Sequence, residues 1–316
     1  MRIDVAVDAK SGLPVTNLQQ QDFTVFDNKA ARPITSFRIV SGAEDPVKVI
    51  VFIDAVNTPF QMDSYAREGI MKFLKSNEGQ LAQPTTVSIL TDKGAVIDSG
   101  FTTNGNVLSD DLEHQQIGLR EINRNSEWGF MDRFQICMTA MNQLLTFVNT
   151  VPGRKAVLWI SPGWPLISGP RIDLDARQED QIFNQIVSFS TRMREANLTI
   201  YNLNPVGVTE PLEREDFYTA FLKGVTKPNQ VQVGNLAIQV LAVQSGGLAI
   251  EGNSDVAGMI QRCVTDLHSW YEIGFDPLPG DKPNEYHHIE VKVDRPGMVA
   301  RTRDGYYANP EVIQAH

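Results

Sequence analysis

The stretch VKVIVFID, residues 47–54, decides the fold. Only Lys48 interrupts its apolar run, and the run stops at Asp54. A continuous, largely β-branched run is what a strand covered on both faces looks like, because neither face meets water. Met62, Tyr65, Ala66, Ile70, Phe73 and Leu74 follow at the spacing of one helical stripe. A second buried strand is predicted at residues 156–160 (AVLWI). The helical stripe Phe134, Cys137, Met138, Met141, Leu144, Leu145 and Val148 leads into it, and Pro152-Gly153 ends that helix. Further on, Ile182, Phe183, Ile186, Phe189 and Met193 mark another helix, and residues 198–203 another strand. A helix at 237–244, a short strand at 248–251 and a helix at 254–265 complete the series. Strands alternating with helices mean a doubly wound, mainly parallel sheet with helices on both faces. Residues 86–90 and 95–101, around Asp92-Lys93-Gly94, read as a hairpin that adds one antiparallel edge strand. The stretch from there to Trp128 is less regular.

Outside this block the period changes to two. Ile3, Val5 and Val7 share a face, and residues 23–26 and 34–40 make two more strands. After His268, strands are predicted at 271–275, at 288–293, and at 299–303 continuing into Gly305-Tyr306-Tyr307. Three strands at either end are too few for a sheet-on-sheet core, but paired together they suffice. The predicted organisation is therefore a small β-sandwich-like domain from residues 1–44 and 268–316, with an α/β domain, 45–267, inserted into it.

Composition narrows the function classes. The chain has 316 residues, 42% of them hydrophobic and 21% charged, which suits a globular protein. Its formal net charge is -10, and no Lys/Arg-rich run appears. A nucleic-acid backbone needs a basic patch, so no nucleic-acid partner is expected. No apolar run reaches the ~20 residues of a membrane span, so no membrane insertion is expected. Met1 is followed almost at once by a strand pattern, which reads as a trimmed chain whose leader was removed. Cys137 and Cys263 both fall on apolar helical stripes and read as small core residues, with a disulfide between them left open.

In a doubly wound sheet, ligands bind beyond the carboxyl ends of the strands, where strand order reverses. Here the loops to inspect are 54–58 and 161–165. Neither is a phosphate loop, since there is no Gly-x-Gly-x-x-Gly and no Gly-Lys-Ser/Thr. An acid at the tip of the first strand suits a hard cation or a donor ligand. Asp54 equally suits a structural role, bracing the Asn57-Thr58 turn through bonds to backbone amides.

Three segments carry a family resemblance: LQQQDFTVFDNKAARPITSFRI (18–39), VPGRKAVLWISPGWP (151–165), and residues 269–308, ending RPGMVARTRDGYYA. In order and spacing they resemble von Willebrand factor type A proteins of the acidobacterial type. The resemblance implies a Rossmann-like type A domain and a bacterial, secreted protein, extracellular or periplasmic, that acts by protein binding or adhesion. Type A domains usually hold Mg²⁺ through Asp-x-Ser-x-Ser, a Thr and a second Asp, all oxygen ligands for a hard ion. Asp54 matches the first Asp and Thr58 replaces the second Ser. Val56, however, carries no oxygen, Ser161 stands where the last Asp is expected, and Ser126 is the nearest hydroxyl for the Thr. The implied metal-ion-dependent adhesion site is degenerate: Asp54, Thr58 and Ser161 would support weak Mg²⁺ or Mn²⁺ binding, and no other cofactor is expected.

The loop after Ile160 is apolar, so Trp164 and Leu166, with Trp128 and Asn57, are candidate contacts for an unnamed protein partner. Trp164 has the alternative of folding down onto its own loop. His287 and His288, adjacent in a strand, point to opposite faces and read as solvated. Ser245-Gly246-Gly247 reads as a helix C-cap turn. Asp173, Asp175, Glu179 and Asp180 complement a helix dipole, with a calcium site as the alternative. There is no Gly-x-Ser-x-Gly elbow, so a non-enzymatic module is expected. A metal-assisted hydrolase using Asp54 and a purely structural module are the competing readings.

Overall fold

The computed structural model describes residues 1–10, 12, 14–97, 100–115, 127–165, 174–206, 221, 224–230, 236–251 and 254–310, without the side chains of residues 127 and 128. The apolar run forms β5 (Lys48–Asp54), at the centre of a mixed sheet. On one side β5 pairs in parallel with β6 (Gln80–Thr91), on the other with β9 (Lys155–Ile160). Beyond β9 come β10 (Leu198–Leu203) and β11 (Ala249–Ile250), both parallel. The far edge differs from the single strand expected. Both β7 (Gly94–Ile97) and β8 (Thr102–Asn104) pair antiparallel with β6. The chain thus leaves β5 in one direction, returns, and continues in the other, so strand order reverses between β5 and β9.

Helices cover both faces, which is why β5 and β9 needed no polar alternation. On one face Val49, Val51 and Ile53 pack with α1 (Phe60–Leu74), α2 (Gly105–His114) and the later helix 256–266. On the other, Ile50 and Phe52 meet α3 (Glu127–Val148), α4 (Ala176–Glu195) and α5 (Ile238–Gln244). The last helix, Val256–Asp266, is α6. It approaches α1 so closely that a Cβ on Gly69 would lie 2.7 Å from that of Val256. Cys137 belongs to one face's core and Cys263 to the other's, and both are free thiols separated by the sheet. Helix α2 falls in the stretch that looked irregular; Asn104 caps it, accepting from the backbone N–H groups of Asn106 and Val107.

The two ends of the chain contribute four strands each. One antiparallel sheet interleaves them in the order β14 (Met298–Arg301), β1 (Arg2–Ala9), β12 (Ser269–Phe275), β4 (Ile34–Ser41). The other runs β15 (Gly305–Ala308), β13 (Glu285–Val293), β2 (Phe23–Asp27), β3 (Ala30–Arg32). Ile3, Val5 and Ile273 from the first sheet and Val25, Ile289 and Tyr306 from the second share one core, making a sandwich. The single closing strand expected at the C-terminus is two strands in different sheets. The chain crosses between them at residues 302–304, a crossing that buries Arg303 to 8% exposure.

Candidate functional site

Asp54 ends β5 beside the β5/β9 switch and is fully buried. Its Oδ1 accepts from the backbone N–H of Asn57 at 2.9 Å. Its Oδ2 accepts from Asn57 Nδ2 at 2.8 Å, from Ser161 Oγ at 2.8 Å and from the Trp159 indole at 3.3 Å. A carboxylate has about four acceptor sites. Asp54 therefore meets four donors inside the protein. Burial pushes its carboxyl pKa up, while the bonds from Asn57, Ser161 and Trp159 pull the other way.

Each donor is fixed by its own element. Asn57 Nδ2 also contacts Cys137 Sγ at 3.1 Å, and Asn57 Oδ1 accepts from Arg133 Nη1 at 3.3 Å, so helix α3 holds the loop. Trp159 stacks on Phe52 with ring centroids 4.1 Å apart. The Ser161 backbone carbonyl accepts from Asn202 Nδ2 at 3.0 Å, which ties the end of β9 to β10. Thr58 is buried, and its backbone N–H donates to the Asp54 carbonyl at 3.2 Å. Asp54, Asn57, Thr58 and Ser161 are thus brought to one place. Burial, and then the Asp54 charge, push the Cys137 thiol up, which disfavours a thiolate nucleophile there.

Trp164 is not exposed at the ligand edge. It is 1% exposed and packs edge-on against Trp159, 5.7 Å between centroids, so it pins its own loop from within and offers no ring to a partner. Leu166, Ser126, Asp173 and the Trp128 side chain lie outside the described residues. Among the described residues, an exposed apolar side chain at this edge is instead Phe60, the first residue of α1, 82% exposed. Sequence periodicity passed over it because it lies off the helical stripe. It also passed over Arg133 and Trp159 as polar partners, since both sit among core residues.

His287 is a second correction. It is buried, not solvated, and its Nδ1 lies 3.0 Å from Asp27 Oδ1. Asp27 Oδ2 accepts from Tyr306 Oη and from the Leu278 N–H, each at 2.7 Å. His288 points the other way and is half-exposed near Asp304. Asp175 caps α4, accepting from the Gln178 N–H at 2.8 Å. Gly246, with φ +88°, turns the chain after α5, and its N–H donates to the Val243 carbonyl. Among the described residues, no three His, Cys, Asp or Glu side chains cluster to hold a metal, and no helix is long and apolar enough to cross a membrane.

No family model and no curated protein matches the chain. Solved structures do. The human COPII-coat protein Sec24c matches at 9% identity over 84% of this chain and 44% of that one, with a TM-score of 0.38. This chain thus spans less than half the length of that protein. The SpRpn10 VWA domain matches at 10% over 69% and 95%, TM-score 0.30. Manganese-loaded Plasmodium vivax TRAP protein matches at 9% over 85% and 96%, TM-score 0.33. With likenesses this low, the fold assignment rests on the chain's own sheet order.

Proposed function

We propose that this chain is a non-enzymatic protein-interaction module of the type A kind, acting outside the bacterial cytoplasm, in which internal hydrogen bonds replace the metal of a degenerate adhesion site. The observation that carries the reading is the closed shell around Asp54, with four donors from Asn57, Ser161 and Trp159. A cation at this carboxylate would have to displace several of those bonds inside a buried site, each worth about 1–3 kcal/mol to leave unmade. A hydrolase that used Asp54 to hold a metal would need the opposite, an open carboxylate facing solvent. Phe60 beside this loop supplies an apolar contact of the kind that anchors partners.

The test pairs metal titration with partner capture from the native source. The expected result is no calorimetric heat and no melting shift with Mg²⁺ or Mn²⁺, and capture that survives EDTA but is lost in Phe60→Ser. A saturable metal response that disappears in Asp54→Asn, or capture that EDTA abolishes, would overturn the reading.

A further inference from the structure

The opposite end of the parallel sheet holds the feature that the interaction reading does not use. Arg154 precedes β9, Asn197 precedes β10, and both line a cavity of about 220 Å³ against the sandwich. Arg2, Arg154, Arg194, Arg301 and Arg303 all line it, against only two acids, Asp4 and Glu195. In a chain of net charge -10, five guanidinium groups around one cavity is a local reversal of sign.

Four of the five have carboxylate partners. Arg154 pairs with Asp4 at 3.0 Å, Arg2 with Glu272 at 3.5 Å, Arg194 with Glu195 at 3.8 Å, and Arg301 with Asp266. Arg303 is different. It is more than nine-tenths buried, and among the described residues it makes no ion pair and its side chain makes no hydrogen bond. The nearby acid that attracts it, Asp4, is already paired with Arg154. Burial, with Arg194 adding to it, brings Arg303 down to about 10, so it still carries its charge at neutral pH. An uncompensated buried charge is strongly destabilising, and buried charges are paired, hydrogen-bonded or neutralised. The cavity has room for several waters or one tetrahedral ion.

We propose that the cavity between the sandwich and the amino ends of β9 and β10 is a binding site for a small tetrahedral oxyanion of the phosphate class, held by Arg303 and Arg194. A guanidinium presents a planar fork of N–H donors that matches phosphate oxygens in pairs. The cavity walls come from β1, the β14–β15 crossing, α4 and the turn at Gly246, so a bound anion joins the sandwich to the α/β sheet. Occupancy would therefore stabilise the junction between them.

The test is thermal unfolding and calorimetry of the full chain with inorganic phosphate, against chloride at matched ionic strength. The expected result is a saturable phosphate-specific rise in melting temperature. Arg303→Met should lose that rise and melt no lower than the unmodified chain without phosphate, because it removes a buried unpaired charge. If Arg303→Met does not fold, Arg194→Gln, at a partly exposed position, carries the test with binding weakened about tenfold or more. Absence of a phosphate-specific response, or an undiminished response in these variants, would overturn the site and leave a hydrated cavity. Tighter binding of phosphoserine than of inorganic phosphate would overturn the assignment to a free ion.

Discussion

The two ends of the parallel sheet hold opposite kinds of polar cluster. At the carboxyl end, where topology places ligands, Asp54 is a buried acid surrounded by donors. At the amino end, where topology places none, Arg303 is a buried base whose side chain has no bonded partner among the described residues. Among the described residues, one cluster is complete and the other is not. Strand order locates an edge, but the hydrogen-bond balance at that edge decides whether anything is needed from outside.

The strongest way to break the comparison is to open the closed end. Trp159→Ala removes the stack on Phe52 and one donor to Asp54, and should lower the unfolding free energy by about 3–5 kcal/mol in denaturant titration. Trp159→Phe keeps most of the ring volume and should lose about 1–3 kcal/mol, the share of the unmade bond. If both variants cost the same, the indole donor rather than the packing dominates.

A second closed network, in the sandwich, shows whether closure has a general meaning in this molecule. Asp27→Ala leaves His287, Tyr306 and the Leu278 N–H without their shared acceptor. It should cost about 3 kcal/mol by the same assay. A loss below that of a surface substitution would show that these bonds are replaceable by water.

Asp54→Asn sharpens the electrostatic side. The folded pKa of Asp54 is raised above its ordinary value of 3.8. The folded state thus binds the proton more tightly than the unfolded chain, and this group's contribution falls as pH rises from 3.8 through the raised value. Relative to Asp54→Asn, the unmodified chain should be most stable at the acid end of that window and lose the advantage above it. Parallel pH–stability curves for the two proteins would show that burial does not govern this carboxyl.

The smallest effect belongs to the surface. Phe60→Ser should change stability by no more than about 0.5 kcal/mol, read as an unchanged melting curve, even where it abolishes partner capture. A large loss would mean that Phe60 packs in solution and is not a free contact.

Much of this was legible beforehand. The run at 47–53, interrupted only by Lys48, reads as a strand covered twice, and the helical stripes mark the residues that face the sheet, apart from the partly buried Met62 and the exposed Tyr65 of α1. The loops 54–58 and 161–165 followed from the strand order those patterns imply. The two site residues that were misread share one cause. Trp164 looked like a surface anchor because its loop neighbours are apolar, yet its ring packs on Trp159, 5 residues earlier, inside the fold. His287 looked solvated because alternation along β13 says only that neighbours face opposite ways. Which face is buried depends on the cross-strand partner, and that partner is Tyr306.

The sequence by itself determined the parallel core of the sheet, its helical covering apart from α2, and the position of Asp54, because periodicity and apolar runs act within a few residues along the chain. Only the tertiary structure decided that Asp54 is enclosed by Trp159 and Ser161, 105 and 107 residues away, and that Arg303 is buried where the chain crosses between sheets. Both outcomes depend on which groups meet across long loops. Hydrogen bonds and ion pairs act over a few ångströms, and separation along the chain does not reveal which of them form.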